Sequence, residues 1–181
     1  MLEKKLSQGL VHIYTGDGKG KTTAALGQAF RAAGWGYKVY MIQFLKGGDS
    51  GELHTVERLE PDFKIFRFDD IKKFFWTLNA EEKEAVKRNV DKAFAFAEEV
   101  VQHEKCNLLI LDEIMGVLSN KLLTVEQVCN LIRNKPDSME LILTGRNVPS
   151  EIVALADYVS EIKMIKHPFQ KGIGAREGIE H

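Results

Sequence analysis

Residues 10–23 read Leu-Val-His-Ile-Tyr-Thr-Gly-Asp-Gly-Lys-Gly-Lys-Thr-Thr. Leu10 to Tyr14 is a short run of strand formers ended by glycines, and Lys21 to Ala33 has helix-forming composition that stops at Gly34. The order is therefore strand, glycine-rich loop, helix. Such a loop lets backbone N–H groups converge on an anion while the helix presents its positive end, so Gly16, Asp17, Gly18, Lys19, Gly20, Lys21, Thr22 and Thr23 form a phosphate cradle. Lys21 would neutralise phosphate charge, and the Thr22 hydroxyl would ligate Mg²⁺ or Mn²⁺. The usual pattern has a glycine where this chain has Thr15, with Gly16 one place later. A bare helix-capping turn is the bland alternative, and the strand-to-helix junction favours phosphate.

Working outward, Lys38 to Phe44 and Lys64 to Phe68 read as strands, separated by a polar stretch predicted to be a loop with a short helix. Between Ala80 and Glu104, Val86, Val90, Ala93, Phe94, Ala97, Val100 and Val101 recur at helical steps, with Asn79 and Glu82 as the N-terminal cap. Asn107 to Leu111 is a continuous apolar strand of the kind a parallel sheet buries on both faces. Thr124 and Gln127 cap a helix to about Arg133, ended by Pro136. Glu140 to Leu143 is a further strand, Ser150 to Ala156 a short helix, and Tyr158 to Ile165 a last strand. Strands alternating with helices predict one α/β domain, doubly wound around a mainly parallel sheet, with an irregular tail from Lys166 lying over the surface.

Asp112 and Glu113 follow the apolar strand at its carboxyl end, where ligand sites of such sheets lie, and either carboxylate suits a magnesium ion. Spacing does not rank the two. Arg146, also after a strand, is placed equally by phosphate contact or by simple exposure. Arg31 reads as a cation serving the dipole of the first helix. Phe74, Phe75 and Trp76 either pack in the core or line a flat apolar ligand, and His167 receives no chemistry.

With 181 residues the chain is sized for one domain, and a net charge of -1 supplies no general field for nucleic acid or an acidic membrane. Cys106 and Cys129 lack metal-ligand spacing and read as reduced, buried thiols. No secretory signal or membrane span is apparent, which predicts a cytoplasmic protein.

The loop at 15–23, Gln-Phe-Leu-Lys-Gly at 43–47, Leu-Asp-Glu at 111–113, Thr-Gly-Arg at 144–146, Ala-Asp at 156–157, Lys-His-Pro-Phe at 166–169 and Gly-Ile-Glu at 178–180 together resemble the ATP:corrinoid adenosyltransferase family. The resemblance runs almost end to end. It implies a fold like that of P-loop NTPases of the RecA type. It also implies that cobalt(I) of a reduced corrinoid, complete cobalamin or a precursor such as cob(I)yrinic acid a,c-diamide, attacks the 5′ carbon of ATP and releases triphosphate. By the same resemblance Thr22 and Glu113 contact magnesium, Arg31 lies near the nucleotide, and Phe74 and Trp76 stand beside the corrinoid and displace its lower axial ligand. A homodimer and an electron-donating flavoprotein reductase are also implied. Only about nine residues precede the first strand, where longer members carry a helix over the active site. The alternatives are a P-loop ATPase or small-molecule kinase, and a non-catalytic protein that binds ATP and corrinoid.

Overall fold

The computed structural model describes residues 4–70, 73 and 75–180. Six strands form one sheet in the order β3-β2-β4-β5-β1-β6, and every neighbouring pair is parallel. They are β1 (Val11–Thr15), β2 (Val39–Gln43), β3 (Phe63–Arg67), β4 (Leu108–Asp112), β5 (Glu140–Thr144) and β6 (Tyr158–Glu161). The helices are α1 (Lys21–Gly34), α2 (Gly51–Val56), α3 (Ala80–Gln102), α4 (Ile114–Ser119), α5 (Val125–Arg133) and α6 (Ser150–Val153).

Two cores flank the sheet, as the doubly wound expectation requires. Ala25 and Ala29 of α1 pack on Val39, Met41, Phe63, Leu108, Ile110 and Ile142. The other face holds α3, α4 and α5 against Ile42, Leu109, Leu111, Leu141 and Leu143. Neighbouring residues of one strand thus serve opposite cores, which is why β4 reads as an unbroken apolar run. The predicted cap of α3 is a complete capping box, Asn79 accepting from the Glu82 backbone and Glu82 from that of Asn79, and Thr124 with Gln127 forms another on α5.

Two local expectations need correction, and one helix was not expected. The last strand ends at Glu161 instead of running on to Ile165: Ile162 still donates its N–H to the Thr15 carbonyl of β1, but its own carbonyl turns to accept from Gly18 of the glycine loop. The short helix expected to reach Ala156 ends at Val153. Helix α4 has no counterpart in the sequence reading: six residues are too few to show a period, and Ile114, Met115 and Val117 are all buried. Cys106 and Cys129 are both buried and unpaired, and burial pushes the Cys106 thiol up to about 12. Among the described residues no helix is long and apolar enough to cross a membrane.

Candidate functional site

Parallel winding gathers the carboxyl ends of all the strands at one edge, and there a cleft of about 660 Å³ opens between the glycine loop, α4 and the side chains of Lys73, Phe75, Trp76 and Leu78. Its lining is chemically mixed: Lys21, Thr22, Lys46, Glu113 and Arg146 bring charge and hydrogen-bonding groups, and Leu45, Phe75, Trp76, Leu78 and Val86 bring apolar surface. The volume is typical of a small-molecule site.

The loop is built against the chain leaving β6. Gly18 N–H donates to the Ile162 carbonyl at 2.8 Å. A Cβ on Gly16 would stand 2.4 Å from the same oxygen, and one on Gly18 2.7 Å, so neither position has room for a side chain. Gly16 also has φ 102°, a conformation that costs other residues dearly. Lys21 folds back over the loop, its Nζ donating to the carbonyls of Gly16 at 2.7 Å and Gly18 at 2.8 Å. Burial, then the Arg146 charge, pulls its ammonium below the usual lysine range, against the pull of Glu113, Asp17 and Asp112.

Strand register gives Asp112 and Glu113 different surroundings. Asp112 shares parity with Leu108 and Ile110, which face α1, and so it meets Thr22 at the start of that helix. Gln43 lies beside Asp112 in the β2–β4 ladder, and Thr144 shares the parity of Ile142. The fully buried Asp112 carboxylate accepts from Thr22 Oγ1 at 2.9 Å, Thr144 Oγ1 at 2.7 Å, Gln43 Nε2 at 3.2 Å and Lys46 Nζ at 2.6 Å. The hydroxyl and carboxylate of Thr22 and Asp112, side by side, are the oxygen donors that a hard cation takes.

Glu113 occupies a strained junction. Its φ is 65°, its N–H donates to Thr144 Oγ1 at 2.9 Å, and its side chain lies over Gly116, where a Cβ would come within 2.8 Å of the carboxylate. Burial, then the neighbouring Asp112 charge, pushes its carboxyl above the usual range, although Lys46, Lys21 and Arg146 act the other way. A folded-state pKa above the unfolded one means that the fold loses stability as pH rises between the two values. We expect Glu113→Gln to stabilise the ligand-free protein by roughly 0.5–2 kcal/mol at pH 7. The gain should vanish below about pH 4, where glutamate is protonated in both states. Thermal melts at the two pH values check this, and an equal gain at both would remove the electrostatic cause.

A second network, invisible in the sequence, holds the loop after β2. Arg67 donates from Nε to Gln43 Oε1 at 2.7 Å, from Nη1 to the Gly48 carbonyl, and from Nη2 to Ser50 Oγ at 2.6 Å. Gln43 Nε2 in turn reaches Glu52 at 3.1 Å as well as Asp112. Lys46, Gln43, Thr144 and Arg67 were thus missed as site residues; the signal available was their position at or just beyond a strand's carboxyl end.

The remaining predicted residues separate. Lys19, Gly20, Thr23 and Arg146 line the cleft with Lys21 and Thr22. Gly16, Asp17 and Gly18 are not among its lining residues, though Asp17 pairs with Arg146 at 3.9 Å. Arg31 is exposed in the last turn of α1, away from the cleft wall. In the aromatic run, Phe75 packs against the core while Trp76, 74% exposed, faces the cleft; Phe74 lies outside the described residues. His167, Ile179 and Glu180 of the tail reach the cleft rim, so the tail borders the site as it crosses the surface.

Comparison with known proteins bears on the fold and on the family. The fold resembles that of FlaH, a flagellar accessory protein from Methanocaldococcus jannaschii, with a TM-score of 0.58 and 13% identity over 86% of this chain and 72% of that one. A KaiC-like protein from Pyrococcus horikoshii OT3 superposes with a TM-score of 0.56 and 17% identity over 90% of this chain and 76% of that one. In sequence, the corrinoid adenosyltransferase of Escherichia coli K12 is 35% identical over 96% of this chain and 86% of its own length. Corrinoid adenosyltransferase CobA of Salmonella typhimurium is 34% identical over 96% and 86%. The family model for the ATP:corrinoid adenosyltransferases BtuR/CobO/CobP matches residues 7–181, and the chain belongs to that family.

Proposed function

We propose that the cationic lining of the cleft holds the triphosphate of MgATP and its apolar lining holds a reduced corrinoid, so that adenosyl transfer occurs within the one cleft. The observation that carries this reading is that one cleft is lined both by cations, at Lys21, Lys46 and Arg146, and by apolar side chains, at Phe75, Trp76 and Leu78. In the reaction cobalt(I) gives an electron pair to C5′ of ATP, the cobalt–carbon bond forms, the C5′–O5′ bond breaks, and its electrons leave with triphosphate. No phosphoryl group moves. Lys21 and Arg146 stand where they offset the charge that grows on the leaving group, and the loop N–H groups at the start of α1 add fixed dipoles.

Thr22 and Asp112 fit Mg²⁺ as its protein donors, with Glu113 at the cleft wall close by. Bound there, the ion would supply further neutralisation of the triphosphate. Trp76 presents an exposed ring to the corrinoid and, with Phe75 behind it, excludes water and donor ligands from the lower face of the cobalt. The acceptor is cob(I)alamin or its precursor cob(I)yrinic acid a,c-diamide. We further take the enzyme to work in the cytoplasm as a homodimer, receiving electrons from a flavoprotein reductase, with Arg31 and Phe74 in the roles the family resemblance gives them.

The decisive assay supplies MgATP and chemically reduced corrinoid and follows both the visible spectrum and the phosphate product. Adenosylcorrinoid with stoichiometric triphosphate is expected, whereas orthophosphate without a spectral change would overturn the reading in favour of an ATPase. In the same assay Trp76→Ala should stay within about 3-fold of the parent on pre-reduced cobalt(I), yet fall on the order of 100-fold when cobalt(II) must be reduced in the site. Equal losses with both substrates would remove the axial-ligand role.

A further inference from the structure

Lys46 takes a position that the glycine loop does not explain. Its Nζ stands 2.6 Å from Asp112 Oδ2 and 3.5 Å from Thr22 Oγ1, against the two groups to which the proposed function gives the metal. The Asp112 side chain is 0% exposed, so its charge requires compensation on the spot. Among the described residues that donate to it, Thr22, Thr144 and Gln43 are neutral and only Lys46 carries a charge. Yet the Lys46 side chain is 30% exposed and borders the cleft. A buried anion therefore has its counter-ion on a flexible stem beside open space. The backbone that carries it is pinned, because Arg67 holds Gly48 and Ser50.

We propose that Lys46 is an exchangeable counter-ion, which neutralises Asp112 in the nucleotide-free protein, yields that place to the divalent cation, and turns to the triphosphate when metal and nucleotide arrive together. The proposal rests on the reading of Thr22 and Asp112 as metal donors. Its consequence is coupling between two ligands. Metal arriving alone puts two cations beside one buried carboxylate, whereas metal arriving with triphosphate offers the displaced ammonium a polyanion. Each ligand thus strengthens the binding of the other, by the same factor in both directions. Lys46 would reserve the metal site for the metal–triphosphate complex. A merely structural ion pair makes no such demand; its loss would lower stability and leave metal selectivity alone.

The test uses the full chain with Mn²⁺ as probe, free ion being counted by electron paramagnetic resonance. Lys46→Met should bind Mn²⁺ alone on the order of 10-fold more tightly than the parent and bind manganese tripolyphosphate on the order of 10-fold more weakly. Lys46→Arg, which keeps the charge, should stay close to the parent for Mn²⁺ alone. Lys46→Gln serves as the second neutral variant, since its amide still donates to Asp112 and keeps the fold if the methionine does not. Thr22→Ala locates the metal. If it weakens Mn²⁺ binding while parent and Lys46→Gln bind the ion alike, the metal site stands and the exchange is overturned. If Thr22→Ala changes Mn²⁺ binding in none of these proteins, the metal reading itself falls and the exchange falls with it.

Discussion

Lys21→Ala is expected to lower kcat/KM for adenosyl transfer by about 100- to 1000-fold, the usual loss when one preorganised donor to a developing anion is removed. The expectation follows from where the ammonium sits. It is held inside the loop by the carbonyls of Gly16 and Gly18, pointing at the space the triphosphate would fill, and burial together with Arg146 has already weakened its hold on its proton. An ammonium destabilised by burial and by a like charge gains when an anion comes to meet it. Lys21→Arg should not rescue activity, because a rigid planar guanidinium does not reproduce the compact ammonium that donates to both carbonyls. Initial rates with pre-reduced corrinoid, at saturating and limiting ATP, decide the matter. Retention of more than about a tenth of parental kcat/KM would mean that the triphosphate is neutralised elsewhere.

The largest effect on stability is expected at Gly16. Alanine there combines a left-handed backbone at φ 102° with a Cβ placed 2.4 Å from the Ile162 carbonyl oxygen, and a backbone oxygen has no rotamer by which to move aside. Strain and overpacking together should cost roughly 2–5 kcal/mol. In a chain of this length that lowers the melting temperature by roughly 10 °C. Gly27, within α1, provides the contrast. Nothing lies within 4 Å of a Cβ built there, so Gly27→Ala should gain about 1 kcal/mol from helix propensity. Differential scanning calorimetry of the two variants checks both signs, and a Gly16→Ala protein as stable as the parent would show that Ile162 does not brace the loop.

How much of this was legible in the sequence depended on the range of the interaction. The glycine loop, both capping boxes and the buried strands are written in residues at most a few positions apart, and they formed where the local pattern put them. Asp112 against Glu113 was a different problem. Telling their surroundings apart needs the knowledge that α1 covers the face served by Leu108 and Ile110, and that comes from strand order. Gln43 and Lys46 were present in a family motif, but their meaning lies in the β2–β4 register that puts Gln43 beside Asp112, 69 positions away. Ile162 was assigned to a strand because its neighbours are strand formers; what claims its carbonyl is the glycine loop, far off in sequence. Arg31, by contrast, stands where the plain helix-dipole reading had it, at the exposed end of α1.

The burial of the two cysteines bears on chemoselectivity. An enzyme that presents the 5′ carbon of ATP for displacement must keep rival nucleophiles away from it, and the most competent rival in a protein is a thiolate. Both cysteine sulfurs of this chain are buried, neither borders the cleft, and burial pushes the Cys106 thiol up to about 12. The electrophile can therefore wait for its metal partner without alkylating the protein that binds it.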